Sequence, residues 1–206
     1  MSTVQLNFVN ESNDQNNSEV VIFQKNVAED FDEIAVAWKV IKNCGRGDYH
    51  PFTYSSLYQV AMSDSYGNYT PQLSATQGQA FEMVLASSGD LIKYLGPATA
   101  ANEIILKNSL QKGAVSGYVY RDGSVAALKS NIAPAQQAIF EFKPTIFIGV
   151  ASQVTQGQIM NSAIISSINT EISLLGIASA DIVMTGGGAG ANATPFTFSL
   201  ENVKMA

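Results

Sequence analysis

"AVSGYVYRDGSVAALKS", residues 114–130, is the stretch that decides the fold class. Two alternating runs meet at Asp122-Gly123. Alternation with a period of two marks a half-buried strand. Asp-Gly favours the type I′ turn that a two-residue β-hairpin needs, because both central residues must adopt positive φ. The segment therefore reads as two antiparallel strands joined tightly.

The same grammar extends outward in both directions. "VQLNFVN" (4–10) alternates Val4, Leu6 and Phe8 against Gln5, Asn7 and Val9, "ESNDQNNS" (11–18) is a cluster of turn formers, and "EVVIFQKN" (19–26) reads as a second strand. Residues 3–26 thus read as a hairpin with a long tip. "EIAVAWKVIKN" (33–43) reads as a strand with Ile34, Val36, Trp38 and Val40 on one face and Lys39 and Lys42 marking its edge. "LYQVAMSD" (57–64) and "QAFEMVLA" (79–86) flank a loop, and "SSGD" (87–90) turns into "LIKYLG" (91–96). "AIFEFKPTIFIGVAS" (138–152) alternates around Pro144, which suggests an edge or a bulge. "DIVMTGGGAGANATPFTFSLENV" (181–203) reads as strand, glycine-rich loop and strand.

The expected architecture is an all-β, antiparallel β-sandwich of about ten to twelve strands, one domain over residues 1–206. One short helix is expected near 97–111, where "PATAANEIILKNSLQ" carries good helix formers. "QIMNSAIISSINTEISLLGIA" (158–178) fits either period, and its β-branched residues favour strand.

Composition excludes several functions. The net charge is −6, and no Lys/Arg cluster exists to neutralise phosphates, so nucleic acid is not an expected partner. Only 14% of residues are charged against 46% hydrophobic, the balance of a chain with a real core. A single cysteine and a single histidine exclude an intrachain disulfide and a Cys-based zinc site within one chain. No apolar run is long enough for a transmembrane helix. "MSTVQLNFVN" lacks a basic n-region and a long apolar stretch, so the expectation is that a classical secretory signal is absent or has been removed, which leaves the location open between the cytoplasm and release without a classical signal.

Chemistry-bearing residues are sparse. Cys44 and His50 lie in "NCGRGDYHPFTY" (43–54), separated by an Arg-Gly-Asp tripeptide, with no signature of an activated thiol around them. "AEDFDE" (28–33) offers Glu29, Asp30, Asp32 and Glu33 but lacks the spacing of a calcium loop. "TGGGAGANATP" (185–195) has no lysine and no βαβ context, so it is not a phosphate cradle. No catalytic residue, metal site or cofactor is assigned.

Two features do suggest function. Tyr49, Phe52, Tyr54, Tyr58, Tyr66 and Tyr69 fall in one short region. Aromatic rings with a polar tip suit sugar stacking or a membrane interface, so these six are the candidate ligand- or membrane-binding residues. Between Lys143 and Asp181 the only charged residue is Glu171, and such uncharged alternating segments serve as inserting hairpins in pore-forming proteins.

"VQLNFVNESNDQNNSEVVIFQKN" (4–26) followed by "AVAWKVIKN" (35–43) resembles the start of small uncharacterised microbial β-sandwich proteins. More faintly, it is similar to aegerolysin-type proteins, whose first strands carry short polar turns and an Ile-Lys-Asn-like edge. The resemblance implies a sandwich fold and assigns no functional residue. The sequence thus points to a non-enzymatic binding or self-assembling β-sandwich, homo-oligomeric, with a lipid or carbohydrate as a further partner. The alternative is a membrane-active protein that inserts a hairpin from 144–180.

Overall fold

The structure, a computed structural model, describes residues 3–16, 18–28, 35–168 and 170–206. The chain is all-β. The first strands are β1 (Thr3–Asn10), β2 (Glu19–Phe23), β3 (Ala35–Val36), β4 (Lys39–Ile41), β5 (Tyr49–Ser55), β6 (Tyr58–Ser63), β7 (Leu73–Ala75), β8 (Gln79–Ala86) and β9 (Gly89–Pro97). Then follow β10 (Glu103–Asn108), β11 (Val115–Arg121), β12 (Ser124–Ile132), β13 (Gln137–Glu141), β14 (Thr145–Ala151) and β15 (Ile159–Met160). A short helix α1 (Ser162–Ser167) precedes β16 (Thr170–Ser173), β17 (Ile177–Gly187) and β18 (Thr194–Met205).

These elements form two compact units. The first comprises Met1–Lys25, Asp32–Ser56 and Pro144–Ala206; the second comprises Asn26–Phe31 and Leu57–Lys143.

The first unit holds two four-stranded sheets, ordered β18-β17-β1-β5 and β16-β14-β2-β4, with the small β15-β3 pair beside them. β1 alternates as its sequence requires, burying Val4, Leu6 and Phe8. Trp38, fully buried, meets the ring edges of Phe52 and Tyr54 on β5 at 6.2 and 6.0 Å. β2 differs from β1 because Val20, Val21, Ile22 and Phe23 are all buried. A continuous apolar run belongs to a strand covered on both faces. Here Val21 and Phe23 pack under α1 and the β3–β15 region through Met160, Ile165 and Ile168, and Phe23 stacks on Phe147 at 5.2 Å.

That double burial overturns the hairpin expected over residues 3–26. β1 and β2 lie in different sheets, each paired with strands from far along the chain. The segment between them is tied down by Asn10 and Ser12, both buried: Ser12 N–H and Oγ–H donate to Asn10 Oδ1 at 2.9 and 2.6 Å.

The second unit is a sandwich of two four-stranded sheets, β13-β10-β8-β9 and β12-β11-β6-β7. One continuous core joins them: Tyr58, Val60 and Met62 of β6 with Phe81 and Met83 of β8, Ile104 and Leu106 of β10, and Val115 and Val119 of β11. The Asp122-Gly123 hairpin forms as read, with Arg121 opposite Ser124 and positive φ of 48° and 77° at the two turn residues. The β8–β9 hairpin also follows the sequence, with Ala86 opposite Gly89. Among the strands of the described residues, pairing is antiparallel except for β1 with β17 and β8 with β10; the isolated bridge Asn13–Gly187 is also parallel. The edge of β13 is covered by residues 26–28: Asn26 Nδ2 donates to the Ile139 carbonyl at 2.8 Å, and Glu141 N–H donates back to Asn26 Oδ1 at 2.8 Å.

The helix lies elsewhere than expected. Residues 97–111 contain no helix; they hold β10, whose Ile104, Ile105 and Leu106 are buried in succession between β8 and β13. Tertiary burial overrides local helix propensity there. α1 instead starts within 158–178, where Asn161 caps it by accepting from Ile164 N–H at 2.9 Å. Strand resumes at β16 and β17. In the uncharged stretch, β14 is an interior strand between β16 and β2, with Ile146 and Ile148 fully buried. No helix among the described residues is long and apolar enough to cross a membrane.

Candidate functional site

The six aromatic candidates separate into three environments. Tyr54 and Tyr58 are buried. Gln24 Nε2 donates to the Tyr54 hydroxyl at 2.8 Å within the first unit. Tyr58 stacks on Phe142 at 5.5 Å, and the buried Arg121 guanidinium lies 4.6 Å from its ring centre and donates to its hydroxyl. These two rings are core. Tyr49 and Phe52 lie on β5, Tyr49 exposed and Phe52 half-buried against Trp38. Tyr66 and Tyr69, 90% and 61% exposed, lie on the β6–β7 connection of the second unit.

The loop carrying Tyr66 and Tyr69 is built around Asp64. Asp64 Oδ1 accepts from the Tyr66 and Asn68 N–H groups at 2.9 Å each, and Oδ2 accepts from Asn68 Nδ2 at 2.7 Å. This is the local side-chain-to-backbone bonding that makes aspartate a turn residue. Gly67 supplies the positive φ of 85° that the tip requires. The bond from the Asn68 side chain, and then those from backbone N–H groups, hold the Asp64 carboxyl below the ordinary aspartate range. At the base of the loop, Met62 N–H donates to Thr70 Oγ1 at 3.0 Å and Thr70 N–H returns to the Met62 carbonyl at 2.9 Å. Tyr66 is therefore an exposed ring on a defined loop.

Two other connections converge beside it. Along β8, Phe81 and Met83 face the core, and period-two alternation puts Leu85 on the same face. Leu85 is nevertheless 75% exposed, because the strand runs beyond the end of the core. Asp90 pairs opposite it on β9. The third connection, residues 109–114, is anchored by Asn108, which is fully buried. Its Nδ2 donates to the Gly113 and Ile132 carbonyls at 2.9 and 2.8 Å, and its Oδ1 accepts from Leu110 N–H at 3.0 Å.

Together these loops enclose a groove of about 870 Å³ lined by Asp64, Tyr66, Leu85, Asp90, Leu110 and Lys112. A second cavity of about 430 Å³ shares Asp64, Leu85 and Asp90 with it and adds Asn68 and Tyr69. An exposed ring, two leucines, two carboxylates and an ammonium thus meet at the open end of the sandwich. Of the sequence-assigned residues, the groove and its neighbouring cavity bring together only Tyr66 and Tyr69. Leu85, Asp90, Leu110 and Lys112 carry no sequence signal, because alternation places Leu85 in the core, Asp90 begins an ordinary hairpin strand, and Leu110 and Lys112 sit in an ordinary connection.

The remaining sequence features occupy structural positions. Cys44 is buried, and burial and then the Asp48 carboxylate push its thiol pKa up, the opposite of activation. Asp48 Oδ2 accepts from Gly45 N–H at 2.9 Å, so the Arg-Gly-Asp segment is turn chemistry, and Arg46 donates to Asn13 Oδ1 at 2.8 Å. His50 is an exposed residue of β5 opposite Phe8. Among the described residues no group of three or more His, Cys, Asp or Glu side chains could hold a metal; Glu29, Asp30, Asp32 and Glu33, like Ile34, lie outside the described residues.

Comparison with protein-family models, curated proteins and solved structures gave no match. The functional reading therefore rests on the site itself.

Proposed function

We propose that this protein is a non-enzymatic binding module whose second unit takes a neutral carbohydrate at the open end of its sandwich. The observation that carries this reading is the groove of about 870 Å³ in which exposed Tyr66 and Leu85 stand beside Asp64, Asp90 and Lys112. A sugar ring has apolar C–H faces and a rim of hydroxyls. An aromatic face stacks on the former, and carboxylates and an ammonium bond the latter. Binding sites of this mixed kind combine apolar walls with a few convergent polar groups. The two shared carboxylates and the net charge of −6 disfavour phosphates and anionic lipid surfaces. Screening the protein on an array of neutral glycans tests the reading. Binding that Tyr66→Ala abolishes supports it, and absence of binding to every neutral glycan sinks it.

Self-assembly is the second reading, favoured by β18. This strand ends its sheet, runs for 12 residues, and leaves Phe196, Phe198 and Leu200 only half-buried. Unpaired strand edges are templates for a second copy. Sedimentation across a wide concentration range checks this; a monomer throughout would remove it. Insertion of a hairpin from 144–180 has less support, since β14, even moving together with its partner β16, would have to leave β2, and its Ile146 and Ile148 are fully buried.

A further inference from the structure

We propose that the site takes a chain of sugar units rather than a single one, with the cavity beside Tyr69 as a second subsite. This rests on the carbohydrate reading above and specifies its ligand.

Three observations carry it. The two cavities share a wall of Asp64, Leu85 and Asp90, so a ligand seated in one abuts the other. Each cavity has its own tyrosine, Tyr66 in the larger and Tyr69 in the smaller, on opposite sides of the Gly67 tip. The aromatic surface also continues past the second cavity. The Tyr69 ring centre is 5.1 Å from that of Tyr118, and Tyr118 is 6.4 Å from Tyr120. Tyr118 and Tyr120 share one face of β11, being two residues apart.

Tyr69 is also pre-positioned. Its hydroxyl donates to the Tyr118 hydroxyl at 3.1 Å, and Ser63 Oγ lies 3.4 Å from the same oxygen. A ring already fixed loses little freedom when a ligand stacks on it. Repeated apolar rings with carboxylates and an amide between them match a polymer whose every unit repeats an apolar face and a hydroxyl rim. A single sugar would occupy part of one cavity and leave the other ring unused. The shared carboxylates select against acidic polymers, so the chain is a neutral oligosaccharide.

The test uses the full chain and the neutral glycan series identified on the array, titrated calorimetrically from one to about six units. Affinity should rise about tenfold between the single sugar and the trimer as a second ring is engaged, then level off. Tyr69→Ala should remove that increment, whereas Tyr66→Ala should weaken every length. Tyr69→Phe keeps the ring but loses its bond to Tyr118, and should keep most of the increment, which separates stacking from a folding defect. Affinity independent of length, or an increment that survives Tyr69→Ala, overturns the second subsite while leaving the carbohydrate reading standing. Failure of all lengths to bind overturns the carbohydrate reading itself.

Discussion

Replacing Asn108 with alanine should cost the protein about 3 kcal/mol. The side chain is fully buried and makes hydrogen bonds of 2.9, 2.8 and 3.0 Å to Gly113, Ile132 and Leu110. Each contributes about 1 kcal/mol net, and alanine leaves their buried partners unsatisfied, so about 3 kcal/mol is a lower figure. For a chain of this length, that loss lowers the thermal midpoint by about 6–12 °C, readable by circular dichroism. Asn108→Asp sharpens the test because it preserves shape. Its Oδ1 still accepts from Leu110, but a carboxylate replaces the donor that faces two carbonyls. Burial raises the folded pKa of that carboxyl above its unfolded value. The aspartate variant is therefore least destabilised below the ordinary aspartate range and loses stability as pH rises through the folded pKa. Because Asn108 anchors residues 109–114, both variants should also weaken ligand binding in the groove. An alanine variant within about 1 kcal/mol of the parent, or an aspartate variant with the parent's pH dependence, would refute the assigned role of these bonds.

Further outcomes follow from other positions. At Gly186 φ is +87° and an added Cβ would lie 2.1 Å from the Pro195 carbonyl oxygen. Gly186→Ala should therefore cost about 3 kcal/mol or more by denaturant unfolding, against about 1 kcal/mol for Gly190→Ala, which combines positive φ with open space. The Asp64 pKa is lowered by its bond from Asn68, so its contribution to loop order is present above the ordinary aspartate value and is lost as pH falls through the depressed one. The Tyr66 and Asn68 amide resonances, followed by NMR during acidification, should report that midpoint below the ordinary value; one at or above it contradicts the loop geometry. The bond to Tyr118, burial, and the Tyr118 and Tyr120 phenols push the Tyr69 pKa up to about 12. Its stabilisation is complete below pH 10 and is lost as pH rises through about 12. Tyr118→Phe should bring the Tyr69 ionisation back toward 10 in ultraviolet difference spectra, and an unchanged titration would show that the bond is not its cause.

Local elements were readable where a strand's periodicity and turn chemistry agree. Asp122-Gly123 supplies the positive φ that its turn demands, and the glycine-rich segment before β18 forms the expected connection between strands. Reading failed where burial on a second face decides. "EVVIF" looks like the return strand of a hairpin, yet it sits inside another sheet with both faces covered. "EIIL" sits in a stretch of helix formers, but its successive apolar residues serve a strand buried between β8 and β13.

The site divides in the same way. Tyr66 and Tyr69 are visible as aromatics in a turn-forming loop. Tyr54 and Tyr58 look identical in sequence and belong to cores, because only packing distinguishes a ring over Trp38 or Phe142 from one in solvent.

By itself, then, the sequence determined an all-β chain, the hairpin turn at Asp122-Gly123, and a single cysteine and a single histidine. These follow from residue identity and spacing along a few neighbours. Only the tertiary structure decided how strands pair beyond adjacent hairpins, since β1 meets β17 and β8 meets β10 with other elements between them in the chain. It also decided that Leu85 outruns the core, and that Asp64, Asp90 and Lys112 meet around it. Pairing and convergence depend on which surfaces remain to be buried once all the strands are present, and no local window of sequence contains that information.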